Sequence, residues 1–218
     1  MNFLPRGLEN KSKMLNKSEL FIISAPSGAG KSTLLSMLKE NHSDIGFPIS
    51  HTTRTKRANE VNGKSYYFVS EDKFKVLESS NYFLESAKVF EHYYGTSYDS
   101  IRDLQGSSKI ILLEIDWQGA RLIKKQFHYV TSIFIMPPSF NKLEQRLINR
   151  NLDSEKMIQK RLSEAKKDMN RWVEYDYAVL NDDLEICYQQ LVSILLKKNS
   201  RFHTSNVDVV DEMNNAIS

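Results

Sequence analysis

The sequence of 218 residues is poor in several features, and each of these excludes a class of protein. A single cysteine, Cys187, forms no internal disulfide and argues against a cysteine-rich zinc site, so we expect a reducing compartment. Eight glycines and five prolines are too few for a collagen-like or low-complexity chain. Basic and acidic residues nearly cancel, at 30 against 27, and form no basic stripe of the kind that binds nucleic acid. No apolar run reaches the roughly 18 residues of a membrane span.

The remaining composition is that of a globular protein, which we expect to be cytoplasmic and to bind neither nucleic acid nor membranes. Hydrophobic residues make up 40% of the chain, enough for a core at this length. Residues 1–18 are polar, lack the apolar stretch of a secretory signal and are expected to form a loose extension. Residues 199–218 are also polar and predict a poorly ordered tail. Composition leaves open a monomer or a homo-oligomer, and a translation start at Met1 or Met14.

Short apolar runs alternate with amphipathic segments, which is typical of a parallel sheet with helices on both faces. The predicted strands cover residues 20–23, 109–113, 130–135 and 177–180. The predicted helices cover residues 31–39, 118–126, 139–149 and 184–198. The pattern therefore predicts a three-layer α/β/α fold.

Two segments depart from this alternation. Residues 47–97 contain aromatic-rich alternating stretches, which predict a small β-rich insertion. Residues 141–171 are helical in pattern and heavily charged. An apolar stripe runs along the second part of this segment, formed by Ile158, Leu162, Ala165 and Met169.

A glycine-rich segment lies where the first predicted strand gives way to the first predicted helix. It reads SAPSGAGKST (24–33) and matches the phosphate-loop pattern G-x-x-x-x-G-K-[ST], with Ala25 in place of the first glycine. Such a loop directs backbone N–H groups at phosphate oxygens, while Lys31 would reach the β- and γ-phosphates and Ser32 would offer its hydroxyl to Mg²⁺. The predicted triphosphate-binding residues are Ala25, Pro26, Ser27, Gly28, Ala29, Gly30, Lys31, Ser32 and Thr33.

Two features point to a second substrate that shares the site. Arg54 and Arg57, three residues apart, are able to clamp a second phosphate with charge-assisted hydrogen bonds. In the predicted strand, Glu85 falls on the same face as Phe83 and Ala87, and a carboxylate on an apolar face needs hydrogen-bond donors. A guanine edge offers two adjacent donors, N1–H and the 2-amino group, whereas adenine offers no such pair. An arginine partner for Glu85 is an equally good interpretation of the spacing.

Other charged residues are consistent with the transfer of a phosphoryl group between the two substrates. Glu114 and Asp116 close a predicted core strand, at the end where a carboxylate is able to hold magnesium water or a substrate group, and an exposed acid at the strand end is the alternative interpretation. Arg146 and Arg150 are four residues apart on one helical face, and Arg161 follows further on. A basic segment that closes over phosphates would shield phosphoryl transfer from water. A solvated charged helix is the ordinary alternative for each of these arginines.

Taken together, these segments resemble bacterial-type guanylate kinases over about residues 19–198. Besides the phosphate loop, the resemblance is carried by SHTTRTKRANEVNGKSYYFV (50–69), FLESAKVFEHYYGTS (83–97), LLEIDWQGA (112–120), IQKRLSEA (158–165) and YAVLNDDLE (177–185). It implies ATP-dependent phosphorylation of GMP to GDP with Mg²⁺, in purine nucleotide metabolism and GMP recycling, with dGMP as a further acceptor. It also implies a core of residues 19–49, 98–140 and 172–198, a GMP-binding domain of residues 50–97 and a lid of residues 141–171.

The resemblance also implies roles for individual residues. The GMP phosphate would be bound by Arg54, Arg57, Tyr66 and Tyr94. Guanine would be bound by Ser50, Glu85 and Thr96, with Asp116 nearby on the acceptor side and Glu60 supporting the arginine pair. Lys31 and Arg54 would act in catalysis together with Arg146, Arg150 and Arg161 around the transferring phosphoryl group. Asn181 would lie on the base side of ATP.

The sequence departs from the family pattern in two further places. Ala58-Asn59 replaces a pair that usually ends in glycine, so Asn59 has to form that turn. Residues 151–153 read Asn-Leu-Asp where the family commonly has Gly-Thr, which leaves the conformation of the lid open.

Three other functions are consistent with parts of the sequence. A GTPase is suggested by D-x-x-G at residues 116–119 and by NKLE at 141–144, but Thr52 lies far from Asp116 and Glu144 replaces the base-reading aspartate. Non-catalytic scaffold domains of similar fold tend to lose the loop lysine, whereas Lys31 is present here. A related kinase with another acceptor is distinguished only by binding measurements.

Overall fold

The computed structural model describes residues 18–127, 129–149 and 155–217. These residues form two compact units. The first contains residues 18–20 and 44–130, and the second contains residues 21–43 and 131–217. None of the helices in the described ranges is both long and apolar enough to cross a membrane.

The secondary structure alternates between strands and helices along most of the chain. In order, the elements are β1 (Glu19–Ser24), α1 (Lys31–Asn41), β2 (Ile45–Gly46), β3 (His51–Thr52), β4 (Tyr67–Phe68), α2 (Glu71–Ser79), β5 (Phe83–Val89), β6 (His92–Ser97), α3 (Tyr98–Arg102), β7 (Ile110–Glu114), α4 (Trp117–Gln126), β8 (Thr131–Met136), α5 (Phe140–Asn149), α6 (Glu155–Met169), β9 (Tyr177–Leu180), α7 (Leu184–Lys197) and α8 (Val207–Ile217). Short 3₁₀ helices span Asn170–Glu174 and Ser200–Phe202.

A parallel sheet lies at the centre of the second unit. β8 pairs with β1 on one side and with β9 on the other, so that Phe21 is opposite Thr131 and Ile133 is opposite Tyr177. The apolar runs of these strands are almost entirely buried. Burial of both faces explains why the runs are continuous rather than alternating. The strands predicted here are confirmed, as are the helices predicted at α1, α5 and α7.

The chain beyond residue 198 is folded, so the prediction of a poorly ordered tail is wrong for its described part. Lys198 ends α7 in the left-handed conformation, and α8 then packs on β9. Val209, Met213 and Ala216 are buried on one side of α8. Their i, i+4, i+7 spacing forms an amphipathic stripe that the polar residues around it obscure in the overall composition.

The first unit contains a parallel pair of strands and a separate mixed sheet. β2 pairs with β7 in parallel, and the mixed sheet has the order β4-β3-β6-β5. Within it β6 runs antiparallel to both β3 and β5, while β3 and β4 are parallel. The β-rich character predicted for residues 47–97 is confirmed.

Aromatic rings fill one side of the mixed sheet. Phe74 of α2 stacks on Phe83 with ring centroids 4.6 Å apart and on Tyr93 at 5.4 Å. A Cβ at Gly95 would lie 2.9 Å from the Phe83 ring, so glycine is needed for this close approach. His51 is buried beside the same rings, and this burial lowers the pKa of its imidazole, which favours the neutral form.

A β-bulge in β5 changes the face on which Glu85 lies. Phe83 is opposite Ser97, and Glu85 is opposite the adjacent residue Thr96, so β5 has one extra residue between these pairs. Neighbouring residues of β6 point to opposite faces, and therefore Phe83 and Glu85 do as well. The prediction that they share a face is wrong, since simple alternation does not anticipate a bulge. Glu85 does share its face with Ala87.

The charged segment after residue 140 forms α5 and α6, which pack on each other. Leu162, Ala165 and Met169 are buried and Ile158 is half-buried, as the predicted apolar stripe requires. Arg150 and residues 151–153 lie outside the described residues, and the movement of this segment as a lid stays a prediction.

The packing of α8 predicts a measurable contribution to stability. Met213 is fully buried, so Met213→Ala should lower the free energy of unfolding by about 2–5 kcal/mol in urea titrations. Asn215→Ala, at an exposed position of the same helix, should change it by less than about 0.5 kcal/mol. Equal small effects of both substitutions would show that α8 does not pack as described.

Candidate active site

The phosphate loop connects β1 to α1 in the second unit. Gly28 and Gly30 have φ angles of +94° and +92°, a region that glycine enters without strain. The N–H of Ala29 donates to the carbonyl of Pro26 at 3.1 Å, and this bond closes the turn. Gly30 is the N-cap residue of α1, so Lys31 and Ser32 stand at the start of the helix. The loop and the helix N-terminus together form a site suited to phosphate.

Asn181, the residue after β9, is hydrogen-bonded to the phosphate loop. It is 3% exposed, and its Nδ2 donates to the carbonyl of Ala29 at 2.6 Å. A Cβ at Gly30 would collide with the same Nδ2, so the glycine also makes room for the asparagine. The backbone N–H of Asn181 donates to the carbonyl of Met136 at 2.7 Å. The observed contact of Asn181 is with the loop itself, and its predicted contact with the ATP base stays a prediction.

A cleft of about 420 Å³ opens beside the loop within the second unit. Its lining combines the loop, the end of α5 and the turn after β9, namely Gly28, Gly30, Thr33, Arg146, Asn149, Asn181, Asp182 and Leu184. Sequence reasoning missed Asn149, Asp182 and Leu184, because residues that approach the loop from distant elements leave no local pattern.

Two of the three predicted lid arginines, Arg146 and Arg161, lie within the described residues. Nη2 of Arg146 donates to the carbonyl of Asn181 at 2.9 Å, and its buried Nη1 has no hydrogen-bond partner among the described residues. Arg161 is half-buried on α6. Arg150 lies outside the described residues.

In the first unit, Glu85 is the centre of a second candidate site. Its side chain is 5% exposed, and its Oε1 accepts the backbone N–H of Thr96 at 2.9 Å. The hydroxyls of Ser50 and Thr96 lie 3.1 Å apart, so the three predicted guanine-reading residues are close together. Burial raises the pKa of Glu85 to about 7, although the bonds from Thr96 oppose this effect. Thr96 supplies the hydrogen bonds that this buried carboxylate accepts within the described part of the chain.

Arg54 is held in a fixed position by an acid and two rings. Its Nη1 and Nη2 donate to the two carboxylate oxygens of Glu60 at 3.0 and 2.6 Å. Its guanidinium also lies 5.5 Å from the ring centroid of Tyr66 and 5.7 Å from that of Phe68. The hydrogen bond between the two side chains raises the pKa of Arg54 and lowers that of Glu60. Phe68 was not among the predicted site residues, although it alternates with Tyr66 on one strand face.

The remaining predicted acceptor residues take different positions. The ring centroids of Tyr94 and Tyr66 are 6.1 Å apart, and burial raises the pKa of the Tyr66 hydroxyl. Arg57 is exposed, and its backbone N–H donates to Glu60 at 2.8 Å. Asp116 is the N-cap of α4, where its Oδ1 accepts the N–H of Gly119 at 3.0 Å. Glu60 contacts both the Arg54 side chain and the Arg57 backbone, and its role as a support for phosphate binding stays a prediction.

The arrangement in the second unit defines the class of the protein. A phosphate loop that leaves a buried parallel strand and opens a helix is the nucleotide-binding site of P-loop proteins. The likeness to known proteins narrows the class.

A family model described as guanylate kinase matches residues 17–198. Guanylate kinase of Haemophilus influenzae (strain 86-028NP) is 47% identical over 184 residues, which cover 83% of this chain and 88% of the relative. Guanylate kinase of Escherichia coli (strain K12) is 43% identical over 184 residues, covering 84% and 89% respectively. The crystal structure of guanylate kinase from Anaplasma phagocytophilum aligns with a TM-score of 0.68 at 29% identity and covers 93% of this chain and 98% of that one.

The chain belongs to the guanylate kinase family. It is a kinase that transfers the γ-phosphoryl group of ATP to GMP, forming ADP and GDP in purine nucleotide metabolism. The fold, the family and the reaction predicted from the sequence are therefore confirmed.

The buried Glu85 predicts a pH-dependent affinity for GMP. Only the carboxylate form accepts both guanine donors, so kcat/KM for GMP should fall as the pH is lowered through about 7. Glu85→Gln should lower kcat/KM at pH 8 and remove this part of the profile, while KM for ATP changes little. Steady-state rates between pH 5.5 and 8.5 measure both effects. An unchanged profile in the variant would exclude Glu85 as the titrating group.

The raised pKa of Glu85 also predicts how the stability of the ligand-free protein changes with pH. Its folded-state pKa lies above the unfolded value, so this group favours folding below about pH 4.5, and that contribution is lost as the pH rises through about 7. Glu85→Gln should therefore stabilise the ligand-free protein at pH 8, relative to pH 5, by roughly 3 kcal/mol. Urea unfolding at the two pH values tests this, and equal changes at both would contradict it.

Proposed function

We propose that the phosphate loop binds the triphosphate of ATP in this reaction. Backbone N–H groups of residues 25–33 surround the phosphates, and Lys31 reaches the β- and γ-phosphates. The adjacent cleft, with Asn181 in its lining, takes the adenosine part. The support for this assignment is that the loop, the helix N-terminus and the cleft are continuous within one unit.

We propose Mg²⁺ as the metal that accompanies ATP. No group of three or more His, Cys, Asp or Glu side chains suited to a metal ion occurs among the described residues. The exposed hydroxyl of Ser32 on the first turn of α1 fits a metal bound mainly by nucleotide phosphates and waters. Bound there, Mg²⁺ supplies charge neutralisation for the phosphates.

The acceptor site of the first unit binds GMP by its two ends. Arg54, Arg57, Tyr66 and Tyr94 bind the phosphate, and Glu60 keeps Arg54 in place. Ser50, Glu85 and Thr96 bind guanine, with Asp116 on the acceptor side. The single observation that carries this assignment is the buried Glu85 carboxylate beside two hydroxyls, since a buried acid favours a base with an adjacent pair of donors, as guanine has.

Catalysis then consists mainly of positioning and neutralisation of charge. A phosphate oxygen of GMP attacks the γ-phosphorus of ATP, the bond to the bridging oxygen breaks, and ADP leaves with that electron pair. The attacking oxygen is already anionic, so no strong general base is required. Lys31, Arg54, Arg146, Arg150 and Arg161 stabilise the negative charge of the transferring group. The buried Nη1 of Arg146, which has no hydrogen-bond partner among the described residues, supports its part in this set.

Three further assignments follow from the same residues. dGMP is a second acceptor, because the assigned residues contact base and phosphate and none is assigned to the 2′-hydroxyl. Residues 141–171 act as the lid and residues 50–97 as the GMP-binding domain. The reaction takes place in the cytoplasm, in keeping with a single buried cysteine. The assignment is compatible with a monomer and with a homo-oligomer.

The experiment that tests this function is a coupled assay of ADP release from ATP and Mg²⁺ with each of GMP, dGMP, IMP, AMP, CMP and UMP. We expect turnover with GMP and dGMP, and weak turnover with IMP because it lacks the 2-amino group. Reactions without acceptor or with GTP alone serve as controls. Equal rates with GMP and AMP would contradict the guanine site.

Removing a phosphate-binding cation should abolish most activity and leave the fold intact. Lys31→Ala and Arg54→Ala should each lower kcat/KM by about 10²-fold or more, because each removes positive charge from a phosphate. Lys39→Ala, at an exposed position of α1, should retain wild-type rates. Circular dichroism checks the fold, and normal turnover of Lys31→Ala or Arg54→Ala would refute its assignment.

A further inference from the structure

The first turn of α4 is tied to β5, the strand that carries Glu85. Nε2 of Gln118 donates to Oδ2 of Asp116 at 3.0 Å and to the carbonyl of Lys88 at 3.1 Å. Asp116 in turn caps the helix through the N–H of Gly119. The Gln118 side chain therefore links Asp116, at the N-terminus of α4, to the β5 backbone and keeps the two at a fixed distance.

Gly119 lies where this turn meets the carboxylate. A Cβ at Gly119 would be 2.6 Å from Oε2 of Glu85 and 3.3 Å from its Cδ. The other oxygen, Oε1, is bonded to the backbone N–H of Thr96. The carboxylate thus occupies the volume that a side chain at residue 119 would need, and it is held from the opposite side by β6.

Local backbone geometry gives no other reason for a glycine at this position. Gly119 is not among the residues with positive φ, and it lies within α4, where alanine is the better helix former. The atoms that the Cβ would press against are the far end of the Glu85 side chain and the Cβ of Ile115 at 3.3 Å. A methyl group at residue 119 is therefore accommodated by a shift of the carboxylate, and the helix persists.

We propose that Gly119 is a positioning residue that sets where the Glu85 carboxylate lies, and so determines the preference for guanine. Gln118 contributes by keeping the turn of α4 at a fixed distance from β5. This inference rests on the proposed binding of guanine by Glu85. It adds a specificity determinant that does not itself contact the nucleotide.

The decisive variant is Gly119→Ala. We expect KM for GMP to rise on the order of tenfold to a hundredfold, because a carboxylate shifted by a fraction of an ångström no longer meets both guanine donors. KM for ATP and the melting temperature of the ligand-free protein should stay at wild-type values. The preference for GMP over IMP should become smaller, since the hydrogen bond from the 2-amino group of guanine to Glu85 is weakened. Lys125→Ala, exposed on the same helix, is the matched control and should leave all four quantities unchanged.

A double-mutant cycle with Glu85→Ala separates positioning from an independent effect. Without the carboxylate the methyl group contacts only the Cβ of Ile115, which is not assigned to nucleotide binding, so Gly119→Ala should add no further increase in KM for GMP. An equal increase in both backgrounds, or a failure of Gly119→Ala to fold, would overturn the inference. Gln118→Leu, which removes both side-chain hydrogen bonds, should raise KM for GMP by a smaller factor, also only when Glu85 is present.

The double-mutant cycle also distinguishes the positioning role of Gly119 from the proposed binding of guanine by Glu85. If Glu85→Ala raises KM for GMP and Gly119→Ala does not, the positioning inference fails and the guanine site stands. If Glu85→Ala leaves KM for GMP unchanged, the proposed role of Glu85 fails and the inference fails with it.

Discussion

A carboxylate kept away from water constrains the part of the first unit that we propose to bind guanine. Glu85 receives one backbone N–H from Thr96, and the β5 bulge turns it away from the aromatic side of the mixed sheet. A charge in such a place is costly until more donors reach it, which explains why its pKa is raised to about 7. In the proposed guanine site, base binding and ionisation of Glu85 are consequently coupled, and the buried charge lowers the stability of the ligand-free protein at the side chain that recognises the base.

The two ends of the proposed acceptor site differ in how their charged residues are held. At the proposed phosphate end, Arg54 already has a bidentate partner in Glu60 and lies near the adjacent rings of Tyr66 and Phe68, so little ordering remains when a phosphate arrives. At the proposed base end, Glu85 is bonded to Thr96, and guanine would add two further donors. In this proposal the cationic end gives affinity for any nucleoside monophosphate, whereas the buried acid discriminates among bases, because a base without two donors leaves the acid with fewer hydrogen bonds.

The sequence was most informative where a function depends on residues that are close along the chain. The phosphate loop and the alternation of buried strands with helices have short spacings, and the structure agrees with them. The phosphate-binding role of Arg54 and Arg57 stays a prediction. The prediction that Glu85 shares a strand face with Phe83 was wrong, because a bulge depends on how β5 pairs with β6 and not on β5 alone. The packing of Asn181 and the room made by Gly119 depend on contacts between distant segments, which no local pattern encodes. The helix α8 was missed since only three small or apolar residues mark its buried side.

The bond between Asn181 and Ala29 joins residues 152 positions apart. During synthesis the phosphate loop leaves the ribosome early, whereas β9 follows only after most of the chain has been made. Until then the carbonyl of Ala29 has no asparagine to fix it, and β1 lacks the neighbouring strand β8. A nascent chain consequently carries the complete loop sequence without its support, and the nucleotide site cannot reach its final geometry before β9 has been synthesised.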